Sequence, residues 1–139
     1  MDCTRIFTVT SILCAALSLG CARSSTQPSP LPLGQSFELR AGASAILESG
    51  LTVTFERVTS DSRCPMDALC VWMGDAIVMV SLSQAAGGQV RRELHTAPTG
   101  SEASYLAYSI KLVALAPYPR SDRQIRPDDY AATLIVAAR

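Results

Sequence analysis

The stretch LTVTFERV, Leu51 to Val58, sets Leu51, Val53 and Phe55 on one side and Thr52, Thr54 and Glu56 on the other. A period of two belongs to an extended strand with one dry face and one wet face; on a helix the same residues would scatter around the axis. Such a strand cannot stand alone, because its polar backbone edges need partners and its apolar face needs a lid. A wet outer face points to antiparallel neighbours, since parallel sheets are covered on both sides. The fold must therefore supply a second apolar layer.

The rest of the chain offers the strands for it. QSFELRAG alternates Phe37 and Leu39 against polar neighbours, and ASAILESG is a short piece closed by Ser49-Gly50. CVWMGDAIVMVSLSQ is a longer run rich in valine and isoleucine, read as a central strand in which Gly74 marks a bulge or a close approach. AAGGQ turns the chain, VRRELHT pairs back, YLAYSIKLVALAP alternates again, and YAATLIVAA is a last strand. The rival reading of SEASYLAYSIKLVALA as a helix capped by Ser101 yields to its tyrosine, isoleucine and valine content. One helical turn is expected at 67–71. The expected fold is all-β: an immunoglobulin-like antiparallel sandwich of about seven short strands over residues 35–139, with a small closed barrel as the alternative.

The chain opens differently. Residues 1–20 hold Arg5, an apolar run from Ile6 to Leu19, and Gly20. That run falls short of the roughly 20 apolar residues a membrane-spanning helix needs, and fits the apolar core of an export signal. LSLGC, Leu17 to Cys21, resembles the lipobox of bacterial lipoproteins, which implies lipidation of Cys21; an ordinary cleaved signal and a retained segment are the alternatives. Ala22 follows the cysteine where a signal for inner-membrane retention would carry Asp, so in a diderm host the resemblance implies the outer membrane, facing the periplasm. Residues 21–34, rich in serine and proline, read as the lipidated cysteine and a disordered tether.

Five cysteines is an odd number, but Cys3 and Cys14 fall in the signal and Cys21 would carry lipid. Cys64 and Cys70 remain, an even pair in an exported chain, and we read a disulfide. Zinc would need four ligands in paired clusters, and His95 is the only histidine. A redox centre would favour Cys-x-x-Cys at a helix start. Closing so small a loop is worth on the order of 2 kcal/mol.

Trp72, two residues past Cys70, is either a core residue packed on the disulfide or a platform for stacking a ring ligand; its alternation with Cys70 and Gly74 assigns it to the core. His95 lacks a nucleophile motif beside it and reads as a satisfied or surface histidine, so no catalytic residue and no enzyme is expected. Asp61, Asp67 and Asp75 cluster around the cysteine loop without the spacing of a calcium site, and Asp61 is expected to cap the turn. The segment 117–129 gathers Tyr118, Arg120, Arg123 and Arg126 with three prolines, a candidate interaction loop weighed against a solvated crossover.

Twelve basic residues balance twelve acidic ones, which leaves no electrostatic footprint for nucleic acid or polybasic lipid binding. No cofactor or metal is expected. The partners expected are the membrane, through the N-terminal lipid, and an envelope protein.

DSRCP, then CVWMGD, then PYP ahead of a final strand opened by DY, together resemble a family of small bacterial lipoproteins of uncharacterised function. The resemblance covers Asp61 to Asp75 and, more loosely, Tyr118 to Tyr130. It implies an exported β domain with Cys64 joined to Cys70, and it supplies no catalytic residue. The reading that follows is a lipid-anchored interaction module, with an inhibitor of secreted hydrolases or a small-ligand carrier using Trp72 as alternatives.

Overall fold

The computed structural model describes residues 29–139, so the expected signal segment, Cys21 and the first part of the expected tether lie outside the described residues. Eight strands run β1 (Ser36–Arg40), β2 (Ser44–Ile46), β3 (Thr52–Asp61), β4 (Ala76–Gln84), β5 (Gly88–His95), β6 (Glu102–Tyr105), β7 (Tyr108–Ala116) and β8 (Ala131–Ala138). They form two four-stranded antiparallel sheets, ordered β2-β3-β4-β5 and β1-β8-β7-β6. This is the expected all-β sandwich, and the two sheets do not join into a closed barrel. Within each sheet successive strands pair, β1 returns against β8, and the chain passes between the sheets after β1 and after β5.

The alternation that defines β3 also builds the core. Val53 and Phe55 meet Val78, Val80 and Leu82 of β4, and across the gap Ile110, Leu112, Ala132, Leu134 and Val136 complete the dry layer. In β8 every second residue from Ala132 to Val136 is buried, as period-two packing requires. Bulges in β3 after Phe55 and Val58, and in β7 after Leu112, shift the register without breaking the ladders. The bulge in β7 turns Val113 and Ala114 outward and brings Leu115, not Ala114, into the core.

Two expected strands change. The run from Cys70 to Gln84 is strand only from Ala76 onward, and residues 67–71 make a turn without helix. The run from Tyr105 to Ala116 is a hairpin, β6 and β7, folded at Leu106 with its φ of 51°. The helix alternative for that segment is not what forms.

The register fixes two poles. Leu31 bridges Leu47, and the Gly34 amide donates to the Val136 carbonyl, so the chain enters the sandwich where β3 begins and β8 ends. The β3–β4 connection, with both cysteines, lies at the other end, beside the close of β7 and the start of β8. Ten residues of β3 at about 3.3 Å each separate the two poles by roughly 30 Å.

Candidate functional site: the disulfide-stapled pole

The ladder of β3 and β4 continues into the cysteine loop. The Ser62 amide donates to the Asp75 carbonyl at 2.7 Å, and the Cys64 amide to the Met73 carbonyl at 2.9 Å. Gly74 sits inside this stem at φ 70°, where a Cβ would lie 1.8 Å from the Ser62 carbonyl oxygen. Only glycine tolerates both demands. The close approach expected of Gly74 is therefore real, although it lies before the strand and not within it.

Cys64 and Cys70 are bonded, with Cα atoms 5.9 Å apart, and close the tip of this stem. The loop is held from the side as well. The Met66 amide donates to the Pro119 carbonyl, and Asp67 accepts from the Ser121 amide at 2.9 Å and the Ser121 hydroxyl at 2.6 Å. The cysteine loop and the proline-arginine loop, separate candidates in the sequence, thus form one docked unit.

Beneath them lies a buried ion pair. Arg63 donates from Nε to Asp61 Oδ1 at 2.8 Å and from Nη2 to Asp61 Oδ2 at 2.7 Å, and its side chain is 4% exposed. Nη1 donates to the Leu115 carbonyl and Nη2 to that of Pro117, while the Tyr130 hydroxyl donates to Asp61. The Tyr118 ring lies over the guanidinium, 5.0 Å from ring centre to carbon. Burial acts to raise the Asp61 carboxyl, and hydrogen bonds from Arg63 and Tyr130 outweigh it, leaving it below the ordinary carboxylate value. Burial, with the bond to Asp61, pushes the Tyr130 phenol up to about 12. The expected turn-capping role of Asp61 is present, since it also accepts from the Arg63 amide at 3.2 Å. It is the smaller part of what Asp61 does.

Asp75 makes the second cluster. It accepts from the Thr96 hydroxyl and the Ala97 amide, both at 2.9 Å, and meets His95 Nδ1. Burial opposes its ionisation, and the bonds from His95, Ala97 and Thr96 overcome that, so its carboxyl also lies below the ordinary value. An ionised carboxylate can only accept, so Nδ1 carries the proton. Among the described residues, no serine or cysteine completes a nucleophile–base pair on the other ring nitrogen, and His95 ties the end of β5 to the start of β4. No group of three His, Cys, Asp or Glu is gathered as metal ligands among the described residues.

Trp72 is not in the core. Trp72 is 81% exposed, and on the same loop Met66, Leu69, Val71 and Met73 are 69%, 106%, 91% and 76% exposed. Extending the strand alternation back through Gly74 misassigns it, because the side chains from Cys70 to Met73 stand beyond the last core layer. A neighbouring groove, about 500 Å³, is lined by Met73 and Gly74, by Thr96 to Pro98, and by Leu112 to Leu115 with Arg63 and Tyr118; Trp72 is not among its lining residues.

The other loop candidates divide. Tyr118 joins the site. Arg120 and Arg126 form exposed ion pairs with Asp122 and Asp129, contacts worth little in water. Arg123 lies by a shallow hollow with Ile125 and Tyr130. Sequence reasoning missed Arg63, the buried centre of the pole; the only signal was an arginine two residues from Asp61 in an otherwise sparsely charged chain.

Comparison with protein-family models, with curated proteins and with solved structures finds no match to this chain. No helix among the described residues is long and apolar enough to cross a membrane.

Proposed function

We propose that this chain is an exported interaction module of the cell envelope, tethered by lipid on Cys21 and binding a partner through its disulfide-stapled pole. The outer membrane, periplasmic side, is the reading for a diderm host, with secretion as the alternative. One observation carries the binding half: five large apolar side chains, from Met66 to Met73, stand in solvent on a loop closed by a disulfide. Apolar surface of that extent is costly to leave in water, and a loop already fixed loses little entropy on binding. The anchoring half rests on the LSLGC stretch and the signal-like run before it. The two halves agree in geometry, since Leu31 enters the sandwich at the pole opposite Trp72. A tether there presents the apolar loop away from its membrane.

A second reading, an inhibitor of secreted hydrolases, is favoured by the same stapled loop, which is exposed and braced by Pro119 and Ser121. A carrier of small ligands would have to use the groove, since Trp72 stands outside it.

Fractionation of cells expressing Cys21→Ser tests the anchor: release from membranes is expected, and retention would sink it. Affinity capture from envelope extracts, comparing the native chain with Trp72→Ala, tests the pole. Partners kept by the native chain and lost by the variant are the expected result, and identical capture by both would end the assignment. Capture of a hydrolase, with loss of its activity, would select the inhibitor.

A further inference from the structure

The stapled pole carries a projection and a hollow side by side. Leu69, Val71 and Trp72 stand exposed, and Leu112 and Leu115 are among the residues lining the groove. Met73 belongs to both, since it is exposed beside Trp72 and also lines the groove. A surface that carries adjoining knob and hole is what a two-fold axis requires, because each copy then offers what the other lacks.

We propose that this pole binds a second copy of the same chain, Trp72 of each copy entering the groove of the other. The proposal rests on reading the pole as the binding surface, and it names the partner. Size agrees. The groove, about 500 Å³, falls in the range that encloses a compact ligand, so it has room for an indole with a neighbouring leucine. With their backbone, the five exposed residues present an area on the order of one side of a standard interface, about 800 Å².

Arg63 is paired with Asp61 and Arg120 with Asp122 within the same copy, and Asp67 is held by the Ser121 amide and hydroxyl. A bilayer would accept the exposed loop but leave the groove empty.

The test uses the full chain as recovered from cells, held in mild detergent. Sedimentation is expected to show a monomer–dimer equilibrium, with the emission of Trp72, the chain's only tryptophan, moving to the blue as concentration rises. Trp72→Ala and Val113→Arg should each weaken dimerisation by at least about 30-fold, the hot-spot threshold. Glu38→Ala, on the far edge strand, should leave it unchanged. A chain still monomeric at about 100 μM overturns the proposal, because interfaces of this size bind in the micromolar range or tighter. A photo-crosslinking amino acid in place of Trp72, in the living cell, separates the two levels of reading. Crosslinks to the segment 112–118 of another copy support the dimer. Crosslinks to a different protein overturn the dimer and leave the binding pole standing, and crosslinks to neither overturn both.

Discussion

Arg63 and Asp61 face each other through two parallel hydrogen bonds of 2.8 and 2.7 Å, with almost no access to water. The fork geometry is the strong form of an arginine–carboxylate contact. Its other donors reach the carbonyls of Leu115 and Pro117, so one guanidinium joins the end of β3 to the end of β7 across the two sheets. Removing the carboxylate alone leaves a buried cation without its partner. Asp61→Ala should therefore cost about 3–5 kcal/mol by urea denaturation, the range for breaking a buried pair from one side.

The same network predicts how stability depends on acid and base. The Asp61 carboxyl is lowered in the fold, so its contribution is complete above the unfolded value of about 4 and is lost as pH falls through the lower folded value. The Tyr130 phenol is raised to about 12, so its contribution is complete below about pH 10 and is lost as pH climbs towards 12. Urea midpoints measured across pH should fall at both limbs. Tyr130→Phe should flatten the alkaline one, and an unchanged alkaline limb in that variant would remove Tyr130 from the account.

The disulfide acts chiefly on the unfolded chain. Replacing both Cys64 and Cys70 by alanine should cost about 2 kcal/mol, the entropy released when so small a loop is opened. The sandwich itself should persist, since the core residues lie outside the loop. Far-ultraviolet circular dichroism unchanged beside a lowered melting point is the expected pair of observations.

Gly74→Ala should cost about 2 kcal/mol or more, because the added methyl lands on the Ser62 carbonyl at a backbone angle that alanine resists. Amide exchange should show the Ser62–Asp75 and Cys64–Met73 hydrogen bonds opening first.

Trp72→Ala should change stability by no more than about 0.5 kcal/mol, as at other exposed positions. Phe55→Ala, fully buried, should cost about 3–5 kcal/mol. In dilute solution Trp72 emission should be red and open to iodide quenching, and a protected indole there would contradict its placement.

How far the sequence disclosed this arrangement follows from the range over which each signal acts. Period-two alternation is a local property, and it disclosed β3, β8 and the sandwich, because each strand displays its own buried face. It misled at Trp72, since alternation has meaning only where a second sheet lies opposite, and the loop from Cys70 to Met73 has none. Gly74 told that something approached closely but not what, because Ser62 comes from the strand before. Arg63 showed only as a neighbour of Asp61, because its carbonyl acceptors at 115 and 117 lie some fifty residues further along the chain. The division of YLAYSIKLVALAP at Leu106 was hidden for a related reason, since Leu106-Ala107 lacks the usual turn residues.

The return of β1 against β8 sets an order of events. β8 is made after the other seven strands, yet it lies inside its sheet, between β1 and β7. Until it arrives, the first strand has no ladder, and β7 shows a bare edge of the kind that recruits foreign strands. The sheet β2-β3-β4-β5 has every partner in hand far earlier. A ribosome stalled just before Ala131 would thus hold half a sandwich, paired on one side and adhesive on the other, and whatever escorts this chain must keep that half apart from its neighbours.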